Sequence, residues 1–255
     1  MHRQRLTFSL RIARSREELL DACRVRAISY GHHLPHLREA LLEPDALDFA
    51  DNTVNVLCVD KKTGSPVGTA RFQTNEGGPL LIESSATIPL HMQADTRAEI
   101  TRLSAVAGAD RLVKVSLMKA SFLFCVASQV RWMVIGARSE ALERQYRRIG
   151  FHNLLEGYKT VPLVHAGGIE HMIMAFNVSA TERTWRASQH PLYEFFFDTF
   201  HPDIQMFPSE FGGLQGAANA AVHGSLAKVP ASSRNCTGEI DVSSAFQTSQ
   251  ASLVR

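Results

Sequence analysis

The sequence predicts an α/β fold in which a mixed β-sheet is flanked by helices. Three observations support this: apolar residues alternate in several short segments, two of these segments flank a turn-forming sequence, and helical patterns separate the later ones. The chain of 255 residues is 45% hydrophobic and 20% charged, as is usual for soluble proteins. Its net charge of +2 is too small to indicate a nucleic-acid partner.

The first elements are a strand and a helix. Residues 6–13 alternate like a strand. Ser15 begins a capping-box pattern for a helix that we expect to reach about Tyr30. A short helix near Pro35 and an acidic loop at 43–51 follow.

A β-hairpin and the central strand come next. Residues 53–60 and 66–74 read as strands, and the Lys-Lys-Thr-Gly-Ser sequence at 61–65 is typical of a hairpin turn. Residues 80–89 form a strand or a loop. Residues 98–107 then form the strand that we place at the centre of the sheet.

The second half alternates helices and strands before its composition changes. The expected elements are a helix from Asp110 to about Ser128, a strand at 132–137, a helix from Ser139 to Ile149, strands at about 153–161 and 170–178, and a helix at 181–200. Beyond residue 212 the chain is rich in Ala, Ser, Gly, Gln and Asn. We therefore predict one domain at 1–211 and a low-complexity, disordered tail at 212–255.

The central strand carries an acid and a base, Glu99 and Arg102, three positions apart. In a regular strand their side chains would point to opposite faces. Burying either one unpaired is costly. Either both point to water, or a β-bulge brings them to one pocket.

Cysteine usage and hydropathy restrict the class of protein. Cys23, Cys58, Cys125 and Cys236 show no metal-binding spacing. The first residues lack the apolar segment of a signal peptide, and no later segment is long enough to span a bilayer. We expect a cytoplasmic protein without a metal or a bound cofactor.

The order of elements resembles the Gcn5-related N-acyltransferase fold. The best local match is the helix that ends at Gly150-Phe151, with Tyr146 four residues before the Gly. In that family this Tyr can protonate the departing thiolate. An amphipathic helix with a Gly cap explains the same pattern without chemistry.

One family feature is missing. Acetyltransferases that use coenzyme A hold its pyrophosphate with a glycine-rich loop after the central strand. The corresponding residues here, 104–110, contain one Gly, and Asp110 would repel a phosphate. The acyl donor is therefore expected not to be free coenzyme A.

The chain is more similar to long-chain N-acyl amino acid synthases and to the related acyl-homoserine lactone synthases. The residues that match their motifs are Arg26, Tyr30, Asp45, Asp48, Arg71, Glu99 and Arg102. The resemblance also places Phe72 and Ser104 in the substrate site. It implies an acyl carrier protein as donor, whose phosphopantetheine arm enters the site, and an amino acid as acceptor. The product would be a bacterial signalling lipid.

The chemistry of amide formation assigns roles to these residues. The acceptor ammonium must lose a proton, and Glu99 in a desolvated cleft can take it. An arginine fork can hold the acceptor carboxylate, and Arg71, Arg102 and Arg26 are candidates. The structural alternative is an ion-pair network that fixes loop 43–51 to the sheet.

The acyl chain requires an apolar slot, for which Leu117, Phe122 and Trp132 are candidates, with 195–197 as a lid. Each of these side chains is also typical of a plain core. The Phe-rich segment is equally suited to contact a membrane or a partner subunit.

Basic residues suggest a docking face for the acidic carrier protein. Arg144, Arg147 and Arg148 share one face of their helix, and a second basic group includes Lys119. A solvated charged surface explains the same spacing.

Three rival functions remain open. The first is a lactone synthase that uses S-adenosylmethionine; the absence of a Trp just after Gly31 weighs against it. The second is a non-catalytic acyl-binding module, because a fold does not determine a function. The third is a coenzyme A acetyltransferase, which is weakened by the missing glycine-rich loop.

Overall fold

The computed structural model describes residues 2–32 and 34–207, and the tail expected at 212–255 lies outside them. The strands of this part are, in chain order, β1 His2–Arg3, β2 Phe8–Ile12, β3 Thr53–Asp60, β4 Pro66–Thr74, β5 Arg97–Ala105, β6 Trp132–Ala137, β7 His152–Asn153, β8 Thr160–Leu163, β9 Ile169–Asn177, β10 Thr199–Phe200 and β11 Ile204–Gln205. The α-helices are α1 Arg16–Gly31, α2 Leu90–Gln93, α3 Leu112–Ala127, α4 Glu140–Ile149 and α5 Val178–Ala187.

Most of these strands belong to one mixed sheet, as predicted. Its order is β11-β2-β3-β4-β5-β6-β9-β7, and β8 also pairs with β9. β5 and β6 are parallel, as are β11 and β2, whereas the other pairs of this sheet are antiparallel. The parallel β5–β6 pair requires a crossover, which α3 provides. The hairpin strands and β6 have the predicted bounds.

The two faces of the sheet differ in chemistry. α3 packs on one face, which we call the α3 face, where Val56, Ala70, Phe72 and Ile100 belong to the larger apolar cluster of the protein. Neighbouring side chains along a strand point the other way. α1 packs against β3, β4 and β5 on that opposite face, which we call the α1 face. The side chains that define it are Asn55, Arg71, Glu99 and Thr101.

A second apolar cluster continues the α1 face beyond β5. Val134 of β6 pairs directly with Glu99 and belongs to this cluster, together with Ile82 from the preceding loop. Its remaining buried members are Leu80, Ile88, Met92, Trp132, Leu154, Leu163, Ile173 and Ala175. Glu99 on β5 therefore borders apolar side chains on the side of the sheet where β6 lies.

Three predicted elements have different bounds. The helix expected near Pro35 is only a 3₁₀ turn at Pro35–Leu37. The segment 80–89 is a loop with a 3₁₀ turn at Leu81–Ser84, which excludes the strand alternative. The strand expected at 153–161 is two short strands, β7 and β8, because a turn containing Gly157 at positive φ separates them. No helix in the described residues is long and apolar enough to cross a membrane.

The helix predicted at 181–200 is wrong in its second half. α5 ends at Ala187, and a separate π-helical turn at Glu194–Asp198 follows. Gln189 has a φ of 51°, and Pro191 supplies no backbone N–H, so the first helix cannot continue through this segment.

The Phe-rich segment is core and not a lid. Phe196 and Phe197 are 3% and 4% exposed and belong to the larger apolar cluster. Both rings contact Phe122 and Trp185 at centroid distances between 5.0 and 6.0 Å. Because these rings are already buried in the protein, they provide no surface for a membrane.

Phe197→Ala is expected to lower the free energy of unfolding by about 3–5 kcal/mol, because it leaves a cavity among packed aromatic rings. Phe49→Ala is the matched control: its side chain is 64% exposed, so the change should stay within about 0.5 kcal/mol. Urea unfolding of both variants measures the difference. Equal, small effects would show that the segment is not part of the core.

Candidate active site

A β-bulge lies in β5 at the acid–base pair. In the β4–β5 ladder, Thr69 pairs with Ser104 and Arg71 pairs with Thr101. Ala70 therefore faces two residues, one of which is Arg102, with a φ of 55°. Of the two arrangements considered for the strand, the structure shows the bulge. Bulges of this kind turn side chains toward a site and occur next to active sites.

β5 and β6 separate next to the β-bulge. β5 and β6 pair from Arg97 and Trp132 to Ile100 and Ile135, and no further. Both strands continue, β5 against β4 and β6 against β9. The β5 backbone therefore loses its β6 partner immediately before the bulge, which leaves main-chain groups there for another extended chain or for an oxyanion.

Glu99 is the buried acid of this cleft, with 1% of its surface exposed. Its Oε2 accepts a hydrogen bond of 2.9 Å from the Ile82 N–H. Burial raises the pKa of Glu99 to about 7, although the Ile82 N–H and the charge of Arg71 oppose this shift. A carboxyl with this pKa can exchange a proton near neutral pH, as a general base requires.

A buried ion-pair network lies beside Glu99 on the α1 face. Asp48 accepts from Arg26 Nη1 at 2.8 Å and from Arg71 Nη1 at 3.2 Å. Arg26 Nη2 donates to Asn55 Oδ1 at 2.7 Å. Arg26 and Arg71 are each only 2% exposed, so this network joins α1, the 45–49 turn and the sheet in a site sheltered from water.

Asp45 continues the network toward the surface. Its side chain caps the 3₁₀ turn Ala46–Phe49 and accepts from Arg71 Nη1 at 2.6 Å and from Arg102 Nη2 at 3.3 Å. Two arginine charges lower the pKa of Asp45, although burial opposes them. Arg102 is 25% exposed, and within the described residues its one ion pair is this 3.3 Å contact, so it is the arginine best able to hold an added carboxylate.

Tyr146 belongs to the larger apolar cluster, which lies on the α3 face. It is buried on α4, and its ring contacts Phe151 at 5.8 Å. Burial, with a smaller contribution from Tyr30, raises the pKa of the Tyr146 phenol above its ordinary value. The hydroxyl therefore stays protonated at neutral pH and is able to donate a proton to a thiolate. Gly150 ends α4 at a φ of 102°, as predicted.

A cavity of about 520 Å³ opens at the connection from β5 to α3, lined by Ser29, His32, residues 105–107, Arg111 and Lys114. Asp110 also lines it and is fixed on both oxygens, by the Leu112 N–H at 2.8 Å and the Thr7 hydroxyl at 2.6 Å. These hydrogen bonds lower the pKa of Asp110, so a carboxylate charge occupies the start of α3.

No protein-family model matches the chain, and a comparison with curated proteins gives no match. FeeM, an N-acyl amino acid synthase from uncultured soil microbes, is 14% identical over 74% of this chain and 97% of its own, with a TM-score of 0.51. BjaI, a coenzyme A-dependent acyl-homoserine lactone synthase solved with MTA, is 15% identical over 83% of this chain and 99% of its own, with a TM-score of 0.51. The chain has the Gcn5-related N-acyltransferase fold.

This acyltransferase fold confirms the predicted fold class and, at the level of fold, the resemblance to N-acyl synthases. The fold also brings together most residues that the resemblance selected. Those in the α1-face network or beside it are Arg26, Asp45, Asp48, Arg71, Glu99 and Arg102.

Two further substrate-site predictions differ in outcome. Phe72 is fully buried on the α3 face, where its ring contacts Phe124 at 5.6 Å, because it follows Arg71 in the strand and points the other way. It is therefore not beside the arginines. Ser104 is on the α1 face, opposite Thr69, and its buried hydroxyl has no hydrogen-bond partner within the described residues.

The three residues proposed for an acyl slot do not lie together in the acyltransferase fold. Leu117 and Phe122 are buried in the larger cluster beneath α3. Trp132 belongs to the smaller cluster across the sheet, and its indole N–H donates to Asp95. A single slot lined by all three is therefore wrong, because alternate faces of the sheet separate them.

The two basic groups have different outcomes: the position of Lys119 differs from expectation, whereas docking by the α4 arginines stays a prediction. Lys119 is buried, and its ammonium donates to the Phe195 and Thr199 carbonyls at 2.7 Å, so it is not a surface charge. On α4, Arg144 pairs with Glu140 and Arg147 pairs with Glu143. Of the three predicted docking arginines, only Arg148 makes no side-chain ion pair within the described residues.

Sequence reasoning missed His165. It lies in the 3₁₀ turn Val164–Ala166, and its Nε2 is 3.6 Å from Glu99 Oε1. The only local signal is a His before Gly167-Gly168 at the end of a strand, which indicates a turn but not its partner. In residues 2–32 and 34–207, no group of three or more His, Cys, Asp or Glu side chains is arranged to hold a metal ion.

Proposed function

We propose that this protein is an N-acyltransferase that moves a medium or long acyl chain from acyl carrier protein to the α-amine of an amino acid. The observation that carries the proposal is the buried Glu99, with a pKa of about 7, at the point where β5 and β6 part. A general base beside an unpaired strand edge is the arrangement that aminolysis of a thioester needs.

The acceptor site is the α1 face beside the bulge. The partly exposed Arg102 can hold the acceptor carboxylate, while Glu99 takes a proton from its ammonium group. Arg26 and Arg71 are engaged in buried ion pairs and support the site rather than bind its substrate. In this proposal the ion-pair network and the substrate site, which the sequence analysis treats as alternatives, are adjacent.

The donor enters from the opposite side of the cleft. The free amine attacks the thioester carbonyl, the C–N bond forms and the C–S bond breaks. The leaving thiolate takes a proton from the Tyr146 hydroxyl, which burial keeps protonated, and the phenolate regains a proton from the second N–H that the attacking amine loses. Backbone N–H groups of β5 beyond Ile100, released from β6, are suited to the tetrahedral oxyanion.

The choice of donor rests on Asp110. Its carboxylate occupies the start of α3, where the N–H groups would otherwise attract a phosphate. The cavity beside it is large enough for a phosphopantetheine arm, and Arg111 and Lys114 can face an acidic carrier protein.

The test is a product assay with the purified full chain. Acyl carrier protein loaded with C12 or C16 chains, and the same chains on coenzyme A, are each supplied with a mixture of amino acids or with S-adenosylmethionine. Mass spectrometry should detect N-acyl amino acids from the carrier-bound chain. Acyl-homoserine lactones would instead show a lactone synthase. Acyl chains that bind without turnover would show a non-catalytic module.

Asp110→Asn is expected to improve the use of acyl-coenzyme A more than the use of acyl carrier protein, because coenzyme A carries more phosphate charge than the single phosphodiester of the carrier-bound arm. The amide can still accept from the Leu112 N–H but no longer repels a phosphate. An interaction at a helix N-terminus is worth about 1 kcal/mol, so kcat/KM for acyl-coenzyme A should rise about 5-fold. Asp60→Asn, a change at an exposed turn, is the control. An unchanged donor preference would remove Asp110 as its cause.

A further inference from the structure

The stoichiometry of the proposed reaction leaves one proton to be removed. An ammonium group has three hydrogens on nitrogen and the amide product has one. The thiolate takes one of the two released protons, and the other must reach solvent in each turnover. Glu99 is 1% exposed, so the proton that it accepts cannot pass directly to bulk water.

His165 is positioned between this carboxyl and solvent. Its Nε2 is 3.6 Å from Glu99 Oε1, and its side chain is 20% exposed. In residues 2–32 and 34–207, no other basic side chain comes within 4.0 Å of the Glu99 carboxylate. The imidazole therefore provides the shortest titratable connection from the buried acid toward water.

The hydrogen bonding of His165 also suits proton transfer. The tautomer of a histidine is set by the hydrogen bond that its second ring nitrogen makes. Within the described residues, His165 Nδ1 is buried without a hydrogen-bond partner, so no bond at that nitrogen fixes the tautomer. The ring also interacts with the Leu81 backbone, which raises its pKa against the larger effect of burial. By contrast, the nearby His171 has its Nδ1 at 2.7 Å from the Ile169 carbonyl, which fixes that ring as an Nδ1–H donor.

We propose that His165 carries the proton taken up by Glu99 out to solvent. The proton passes from the acceptor nitrogen to a Glu99 oxygen, then to His165 Nε2, and then to water or buffer, which restores both groups. The idea rests on the proposed function, because it needs the proton that amide formation releases. It concerns a residue that neither the sequence motifs nor the fold assigns.

The surroundings keep the imidazole neutral between turnovers. Burial and the neighbouring positive charges lower the pKa of His165 to about 4. It is thus available to accept a proton transiently and releases it readily. The charged and titratable groups that face the pair are Arg71 on β4, Arg102 on β5, Glu83 in the 81–84 turn and His171 on β9.

The first test does not depend on activity. The His165 imidazole is titrated by NMR in the wild type and in Glu99→Gln. If the two groups interact, the ring resonances of wild-type His165 show a step near pH 7 as the adjacent Glu99 ionises, and this step is absent in Glu99→Gln. Identical titrations in both proteins would overturn the pairing and with it the proton route.

The second test uses turnover of acyl carrier protein substrate. His165→Gln should lower kcat about 10- to 100-fold, up to the lower end of the range of general acid–base effects because Glu99 is still present, with the KM of the acceptor unchanged. Added imidazole should restore activity to His165→Ala but not to Glu99→Gln. His36→Gln, on an exposed turn, is the control and should match the wild type.

The outcomes are distinguishable. A loss in His165→Ala without imidazole rescue, or a raised KM, would overturn the proton route and assign His165 to binding or structure. If the wild type transfers no acyl group, the proposed function and the proton route are both overturned. If the wild type is active and His165→Gln is equally active, only the proton route is overturned. Thermal unfolding of each variant verifies that it is folded.

Discussion

Glu99→Gln is expected to reduce kcat/KM by about 10²- to 10⁴-fold, the usual contribution of a general base. The amide has the same shape and keeps an oxygen that can accept from the Ile82 N–H, so the fold should be retained. Circular dichroism and thermal unfolding verify the fold, and acyl transfer is followed by mass spectrometry. Wild-type turnover in this variant would eliminate Glu99 as the base.

The pH dependence supplies an independent readout. The base acts in its ionised form, so wild-type kcat/KM should rise with pH through about 7, the pKa of Glu99. The residual activity of Glu99→Gln should lack this step. A step at the same pH in the variant would assign the titration to another group.

Glu99 also makes the free energy of unfolding depend on pH, and its raised pKa fixes the direction of that dependence. The pKa of Glu99 is about 7 in the folded protein and near the ordinary 4.5 in the unfolded chain. Between these values the folded state binds more protons, so the free energy of unfolding falls as pH rises from about 4.5 to 7. Denaturant unfolding at both ends of this window should show the fall in the wild type, and a smaller fall in Glu99→Gln.

Much of the fold follows from local sequence. The hairpin strands, β6 and α4 have their predicted bounds because each has a clear period and a strong local boundary: the turn at 61–65, Ser139 and Gly150. The Phe-rich segment was wrongly predicted as part of a long helix, because a buried irregular turn can be as apolar as a helix. Its true partners, Phe122 and Trp185, are set by tertiary packing.

The site was predictable in composition but not in arrangement. Glu99, Arg102 and the residues of the ion-pair network follow from family motifs, and a bulge was one of two stated options. Phe72 points away from Arg71 because side chains alternate along a strand, a consequence that the motif match did not take into account. His165 reaches Glu99 from a turn 66 positions later in the chain, a contact that only the folded sheet creates.

Asp48→Asn is expected to lower the free energy of unfolding by about 3–5 kcal/mol, because it removes one partner of a buried ion-pair network. Asp48 is the carboxylate shared by Arg26 and Arg71, and both guanidinium groups are 2% exposed. Removing its charge leaves two buried cations with one partly exposed counter-ion, Asp45. Urea unfolding at pH 7.5 measures the loss.

The matched control is Asp21→Asn, which breaks the more exposed pair with Arg24 and should cost at most about 1 kcal/mol. A double variant, Arg26→Met with Asp48→Leu, separates charge from packing. If uncompensated charge causes the loss, the double variant should be more stable than Asp48→Asn. Equal losses would mean instead that the hydrogen bonds anchoring the 45–49 turn, rather than charge, hold this face together. If the double variant is stable, its acyl-transfer activity reports how far the ion-pair network positions Arg102 for the substrate.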